Sequence, residues 1–343
     1  MVKLSSNEEW LDLVKEEIIE PDLPICDPHH HLWDRNSHQP IQPGYLLDEI
    51  LEDINSGHNI VSTVFIECGA MFKTDGPEHM RPVGETEFVN GIAAMSASGA
   101  YGSAKIAAGI VGTVDLTIGA LAGEVLDAHI VAGGGRFRGI RRAVAWDAAD
   151  VIRNHRTDPP EGLLLQDDFR RGFAELGSRD MTFEAWCYHT QIPEVTDLAR
   201  AFPDTTIILD HFGGPLGTGP YQENADEIFE IWKTSVSELA NCENVFAKLG
   251  GINMDVNGFG WHENSNPPSS AELADATRRY YDYAIEVFGT NRCMFESNFP
   301  VDKISCSYNA LWNSFKRLTD NFSDDERAAL FHDTANRFYC LGL

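Results

Sequence analysis

The sequence predicts an α/β fold, a single (β/α)8 TIM barrel with a short N-terminal helix. Short apolar, β-branched runs alternate with longer segments of helical periodicity, and eight such runs can be counted. Their near-continuous apolar character indicates parallel strands covered by helices. The length of 343 residues also suits one such barrel. The count of eight favours a closed barrel over an open, doubly wound sheet.

The predicted elements follow one another in a regular order. The eight strands are predicted at 25–31, 60–67, 104–114, 137–146, 182–189, 205–211, 245–249 and 293–299. The helices are predicted at 46–56, 85–98, 118–130, 166–176, 193–201, 225–239, 271–287 and 308–318, with a terminal helix at 323–339. Ser6 and Glu9 have capping-box spacing and Pro21 ends the pattern, which predicts a helix over 6–19. Residues 1–21 are therefore expected to be an N-terminal helical extension, and residues 22–343 the barrel.

Composition excludes several classes of partner. The formal net charge of -27 argues against nucleic acid and anionic membrane surfaces, because both require clustered Lys and Arg. No signal peptide or apolar run of membrane-spanning length is visible. The seven cysteines are odd in number and widely spaced, which is typical of a reducing compartment. We therefore expect a cytoplasmic protein that acts on a small molecule, and the oligomeric state stays open, a homo-oligomer included.

Histidines collect at the predicted strand ends, where TIM barrels carry their active sites. His29 and His31 have the same parity on the first strand and project to one face, together with Asp27. A lone pair of this kind is often structural. Here His189 ends the fifth predicted strand and His211 the sixth, so four of the 12 histidines are placed at one end of the barrel.

Charged side chains also end the strands. Glu67 ends the second strand and is either an exposed end or a base or ligand. Arg141 lies on the fourth strand with Arg138 and Arg142, and one of the three can bind a carboxylate bidentately or pair with a helix. Lys248 on the seventh strand is a substrate cation or a structural ion pair. No glycine-rich nucleotide motif follows a strand, so no nucleotide cofactor is expected.

Four segments carry a family resemblance, and they occur in the family's order. They are Asp27-x-His29-x-His31-x-Trp33-Asp34, Trp186-Cys187-Tyr188-His189, Leu209-Asp210-His211-Phe212-Gly213-Gly214 and Ser297-Asn298-Phe299-Pro300. Over residues 22–340 the chain resembles the amidohydrolase-related proteins of the lactonase branch, which include 2-pyrone-4,6-dicarboxylate lactonase and the sugar lactonases, and more loosely the decarboxylases. The resemblance implies a divalent metal, Zn or Mn, at His29, His31 and His211, although some lactonases of this branch work without a metal.

Asn298 departs from the family pattern. The resemblance implies an Asp at this position that activates water or helps to bind metal, and an amide cannot accept a proton at neutral pH. Asp27, Glu67 and Glu296 are the nearby candidates for a replacement acid, and Glu67 is favoured among them.

The leading functional hypothesis is hydrolysis of a lactone or related cyclic ester of a small, carboxylated molecule. Arg141 or Lys248 would hold the substrate carboxylate. The alternatives are a metal-dependent non-oxidative decarboxylase and a barrel that binds a ligand without turnover. The residues assigned to catalysis are His29, His31, Glu67, Arg141, His189, His211 and Asn298.

Overall fold

The computed structural model describes residues 7–34, 44–154 and 156–343. Within these ranges, eight parallel strands follow one another in chain order around one sheet. They are β1 (Pro24–His30), β2 (Asn59–Ile66), β3 (Lys105–Gly112), β4 (Phe137–Ala143), β5 (Thr182–Trp186), β6 (Ile207–Leu209), β7 (Val245–Leu249) and β8 (Cys293–Phe295).

The first and last strands meet just beyond the end of β8. His30 forms a parallel bridge with Phe299, His31 N donates to Phe299 O at 2.8 Å, and Asn298 N donates to His29 O at 3.0 Å. These bonds close the ring of strands at its carboxyl end. The predicted TIM barrel is confirmed.

Helices alternate with the strands along the chain. They are α1 (Glu8–Leu11), α2 (Leu47–Ile54), α3 (Val83–Ala97), α4 (Ala122–Ala132), α5 (Asp167–Gly177), α6 (Ile192–Ala201), α7 (Ala225–Ala240), α8 (Ser270–Phe288), α9 (Tyr308–Leu318), α10 (Asp324–Ala328) and α11 (Thr334–Phe338). The eight helices predicted between and after the strands are confirmed, with shifted bounds. The predicted terminal helix is divided by a π-helical turn at Ala329–Asp333.

The N-terminal helix is much shorter than the predicted range 6–19. Within the described part of that range, residues 7–19, only Glu8–Leu11 is helical, and residues 12–23 follow as turns, bends and irregular chain. Contacts with the barrel explain the difference: Ile19 N donates to Asn313 Oδ1 at 2.9 Å, and Lys316 Nζ donates to Ile19 O at 2.6 Å. These bonds use backbone groups that a helix would need for itself, so tertiary contacts outweigh the local capping pattern.

The loop after β7, residues 250–269, lies across the catalytic end of the barrel. Gly217 N donates to Val256 O at 2.9 Å, and Asn257 Nδ2 donates to Pro215 O at 2.8 Å. Val256 also packs on an apolar cluster that contains Trp186. These contacts place the loop beside the loop after β6 and the end of β5.

Two global features complete the fold. Six of the seven cysteines are buried, and Cys340 is exposed. In the part of the chain that the structure describes, no helix combines the length and apolar character needed to cross a bilayer.

Candidate active site

A buried carboxylate joins two of the predicted histidines. Glu296 directly follows β8, and its side chain is fully buried. Its Oε1 lies 2.6 Å from His211 Nδ1 and its Oε2 lies 2.7 Å from His29 Nδ1. Burial, opposed by the ammonium of Lys248, raises the pKa of Glu296 to about 8. One carboxylate therefore contacts imidazoles from β1 and from the end of β6, and it holds that of His211 by a hydrogen bond.

Two consecutive glycines make room for this arrangement. A Cβ on Gly250 would collide with the backbone and side chain of Glu296, and a Cβ on Gly251 would collide with the ring of His211. Gly251 also has a φ of 65°, a left-handed conformation that favours glycine. The Gly250–Gly251 pair after β7 is thus required for the contact between Glu296 and His211.

The backbone at the end of β6 turns two neighbouring side chains to the same site. Asp210 and His211 are consecutive, so a regular strand would project them to opposite faces. His211 and Phe212 instead have φ values of 53° and 60°, an uncommon conformation that clusters at functional sites. As a result, Asp210 and His211 both offer ligand atoms within 4.8 Å of those of His29.

Charged groups contact both ring nitrogens of His29. Arg141 Nη1 lies 3.1 Å from Nε2, and Lys248 Nζ lies 3.3 Å from Nδ1. Both cations can only donate hydrogen bonds, so they favour a ring that carries no positive charge. Burial, together with the charge of Lys248, lowers the pKa of His29 well below its usual value. The imidazole is accordingly neutral.

Glu67 has a different environment from Glu296. Its Oε1 accepts from Arg141 Nε at 3.0 Å, and its Oε2 forms an ion pair with Arg156 from the loop after β4. Burial alone would raise the pKa of Glu67, but the guanidiniums of Arg156 and Arg141 outweigh it and hold the pKa below its usual value. Glu67 is therefore an ionised anchor for two arginines.

A second layer of charge lies beneath the histidines. Lys248 Nζ contacts Glu184 Oε2 at 2.6 Å, His29 Nδ1 at 3.3 Å and Asp210 Oδ1 at 3.7 Å. Burial and the carboxylate of Glu184 raise the pKa of Asp210 to about 8. Among the described residues, neither oxygen of Asp210 has a hydrogen-bond partner, so its acceptor capacity is available in the site.

Asn298 lies at the barrel seam and binds another carboxylate. Its Nδ2 donates to Asp302 Oδ1 at 2.8 Å, and Asp302 Oδ2 accepts from Asn253 N at 3.3 Å. Burial raises the pKa of Asp302 to about 8. The amide at this position thus serves as a hydrogen-bond donor, a role that an ionised Asp could not fill.

The remaining predicted histidines occupy separate positions. His31 lies edge-on to His29, with ring centroids 5.0 Å apart, and its Nδ1 donates to Ile66 O at 2.8 Å. His189 contacts the ring of Tyr221 and accepts from Leu216 N at 3.4 Å. The described contacts therefore bring His29, His31 and His211 together and place His189 at the β5–β6 side of the mouth.

The donor set fits a divalent metal ion. Among the described residues, one group of buried side chains has metal-ligand geometry, namely His29, Asp210 and His211. Two imidazoles and a carboxylate are ligands that Zn and Mn use in proteins. Glu296 would act as the carboxylate that orients His211, a common arrangement behind metal-binding histidines. Asp210 is the member of this group that the sequence did not assign, and the assignment of His31 as a ligand stays a prediction.

Several site residues were missed by sequence reasoning. Asp210 stood inside a quoted motif, but strand parity hides its approach to His211. Glu184 lies within the apolar strand β5, and a charge in such a run is a usable signal of a buried ion pair. Arg156 lies in an irregular loop, where sequence gives no direction for a side chain.

Comparison with known proteins identifies the family of this chain. The family model described as amidohydrolase matches residues 26–341, which is nearly the whole chain. The chain belongs to the amidohydrolase family. Among curated relatives, the protein y4mH of Sinorhizobium fredii is 32% identical over 335 residues, covering 93% of this chain and 99% of the relative. The L-fucono-1,5-lactonase of Burkholderia multivorans is 28% identical over 239 residues, or 69% of this amidohydrolase and 73% of the lactonase.

Solved structures share the same barrel. An amidohydrolase from Burkholderia multivorans with bound zinc has a TM-score of 0.70 at 24% identity, over 92% of this chain and 99% of that one. A 5-carboxyvanillate decarboxylase from Novosphingobium aromaticivorans with manganese has a TM-score of 0.59 at 10% identity, over 94% and 97% of the two chains. At this level of identity the likeness shows the fold alone.

Family membership confirms the assignment made from the sequence. This amidohydrolase is a hydrolase, and the curated relatives to which it is similar include lactonases. His29, Asp210 and His211 provide a site compatible with a divalent metal ion.

Proposed function

We propose that this amidohydrolase hydrolyses a lactone or related cyclic ester of a small, carboxylated molecule. One observation carries the proposal: a neutral His211 is backed at Nδ1 by Glu296 at 2.6 Å. A carboxylate behind an imidazole fixes the tautomer and stabilises the imidazolium that forms during proton transfer. Because the pKa of Glu296 is raised to about 8, this support increases as the pH rises through that value. This arrangement is suited to activating water at His211 Nε2.

His211 and Arg141 have complementary roles in the proposed mechanism. Burial lowers the pKa of His211 to about 3, so the resting imidazole has a lone pair available on Nε2. His211 would remove a proton from water as the water oxygen attacks the lactone carbonyl. The guanidinium of Arg141, which lies 3.1 Å from His29 Nε2, would stabilise the developing oxyanion.

Ring opening then returns the proton. As the tetrahedral intermediate collapses, the bond between the carbonyl carbon and the ring oxygen breaks, and the imidazolium of His211 protonates that oxygen. The product is a hydroxy acid. Arg156, whose side chain is 24% exposed where that of Lys248 is fully buried, is the better placed cation for a second carboxylate of the substrate.

A lactone panel with acid release followed by pH-stat tests this function. We expect turnover of at least one carboxylated lactone, retained after exhaustive treatment with a chelator. Absence of turnover across five- and six-membered lactones, with and without a carboxylate, would rule the proposal out. His31→Ala provides an independent check, since loss of the imidazole beside His29 should reduce turnover strongly.

A second candidate is a metal-dependent non-oxidative decarboxylase. The observation that favours it is Asp210, whose two buried oxygens have no hydrogen-bond partner in the described chain. His29, Asp210 and His211 would hold the ion, which would supply Lewis-acid polarisation of the substrate. In that case the purified protein contains about one equivalent of Zn or Mn, chelation abolishes activity, and carbon dioxide is released.

A further inference from the structure

The last structured segment of the chain enters the floor of the barrel. Tyr339 follows α11 directly, and its side chain is fully buried. It packs in the lower interior layer with Cys26, Ile66 and Met294. A tyrosine buried in this way needs a partner for its hydroxyl, and the partner connects it to the site.

A continuous polar chain runs from Tyr339 to His29. The hydroxyl of Tyr339 donates to Glu184 Oε1 at 2.5 Å. The other oxygen of Glu184 lies 2.6 Å from Lys248 Nζ, and that ammonium lies 3.3 Å from His29 Nδ1. The side chains of Glu184 and Lys248 are fully buried, so water does not screen the contacts between them.

Tyr339 restrains Lys248 in two ways. Its ring faces the ammonium, with Nζ 5.5 Å from the ring centroid, a geometry that attracts cations. Its hydroxyl fixes the rotamer of Glu184, the nearest counter-ion of Lys248. An ammonium on a flexible stem needs such restraints, because it is a point charge that can follow whichever acceptor is closest.

We propose that Tyr339 is a positioning residue for the reaction, which acts through Glu184 to fix the ammonium of Lys248 beside His29 and Asp210. The ammonium of Lys248 then stays beside His29 and Asp210. It does not move into contact with the substrate. The expected effect on turnover rests on the proposed function. The positioning of Lys248 beside His29 does not.

The first experiment compares kcat and KM of Tyr339→Phe with the wild type on the best lactone. Phenylalanine keeps the ring and its packing and removes only the hydroxyl. We expect kcat to fall about ten-fold, since one hydrogen bond to a charged group is lost, with KM within about two-fold. Tyr283→Phe is the matched control: its hydroxyl bonds Ser237 at 2.5 Å on the outer helices, and we expect unchanged kinetics.

A second variant separates positioning from general destabilisation. Glu184→Gln should lower kcat by itself, and in that background Tyr339→Phe should have little additional effect because Tyr339 acts through Glu184. Additive losses in the double variant, or a normal kcat in either folded single variant, would overturn the proposal. The Glu184→Gln result decides the matter should Tyr339→Phe fail to fold.

A spectroscopic readout is independent of turnover. In protein labelled with 15N-histidine, Tyr339→Phe should shift the imidazole nitrogens of His29 and leave those of His129 unchanged, since His129 binds Thr86 and Thr113 elsewhere. Unchanged His29 resonances contradict the inference. If the wild type hydrolyses no lactone but the His29 shift is observed, the proposed function fails and the positioning role stands.

Discussion

Glu67 and Glu296 are the same residue type in opposite surroundings. Each directly follows a strand and has almost no solvent exposure. Glu67 is held between two guanidiniums, which lower its pKa, whereas Glu296 is held between two imidazoles and has a pKa raised to about 8. The comparison teaches that neighbours, not residue type or position, decide the role of a carboxylate at a strand end. Glu67 holds the guanidiniums of Arg141 and Arg156, and Glu296 holds the imidazole of His211.

The largest effect is expected for the imidazole that Glu296 supports. We expect His211→Gln to reduce kcat about a thousand-fold, because a general base contributes about 10² to 10⁴ in rate. Steady-state kinetics on the best lactone measures this effect. His332→Gln is the control, since His332 contacts Asp333 in the terminal segment. A loss below about ten-fold would move the general base to another residue.

The next largest effect is expected for Glu296 itself. Glu296→Gln removes the carboxylate charge behind His211, and it can present an amide NH2 group, which only donates, to His211 Nδ1. We expect kcat to fall about a hundred-fold, within the range of general-base effects. The structure of the variant should be retained, as judged by circular dichroism. Full activity in Glu296→Gln would remove the proposed distinction between the two carboxylates.

Glu67→Gln should instead act mainly on stability. It removes the carboxylate charge that Arg141 and Arg156 share, and breaking a buried ion pair of this kind costs about 3 kcal/mol or more. Urea unfolding at neutral pH measures the change. Glu175→Gln is the matched control, because Glu175 pairs with Arg179 at 2.8 Å on the surface and should cost less than about 1 kcal/mol. Similar losses in the two variants would contradict the anchoring role of Glu67.

Asn298→Asp tests the hydrogen bond between Asn298 and Asp302 at the seam between β8 and β1. The new carboxylate would face Asp302 across the present 2.8 Å hydrogen bond, and two adjacent carboxylates cannot both ionise readily. We expect lower stability by about 1 to 2 kcal/mol, the usual range for a lost bond to a buried polar group, and no gain in turnover. Increased activity in this variant would contradict the expectation, because it would show that an Asp at position 298 can work in this site despite its contact with Asp302.

The effect on the Glu67 side that depends on conditions, with no expected change in turnover, is a pH dependence of stability. Glu85 caps the loop after β2 by accepting from Cys68 N and Ala70 N at 3.0 and 2.7 Å. Burial, with the charge of Glu67, raises its pKa from 4.5 to about 7. The folded state therefore holds this proton more tightly than the unfolded state, and stability falls as pH rises from about 4.5 to 7.

Glu85→Gln should remove that contribution. We expect the unfolding free energy of the variant, relative to the wild type, to rise by roughly 2 kcal/mol between pH 5 and 7.5. Parallel pH profiles for the two proteins would show that Glu85 does not titrate in this window.

The fold was readable from the sequence because each βα unit is specified locally. Apolar runs and helical periodicity predicted all eight strands and the helices between them, and α9 (Tyr308–Leu318) has the predicted bounds. The N-terminal helix failed because its capping signal was local while its contacts with Asn313 and Lys316 are distant in sequence. Periodicity contains no information about such contacts.

The site was only partly readable. Strand ends and parity predicted His29, His31 and His211, and the structure brings these three together. Glu67 was favoured over Glu296 because sequence shows which residues end strands but not which side chains face them across the barrel. Asp210 was missed because the positive φ of His211 breaks the alternation on which parity depends.

The site lies across the seam of the barrel, so it can form only after the last strand has been synthesised. His29 comes from the first strand and Glu296 follows the last, and they meet only when β8 closes against β1. A nascent chain emerges from the ribosome with its N-terminus first, so it holds its histidines long before it holds their carboxylate. Incomplete chains would therefore lack the assembled His29–Glu296–His211 group, and activity would report that the entire barrel has been made and closed.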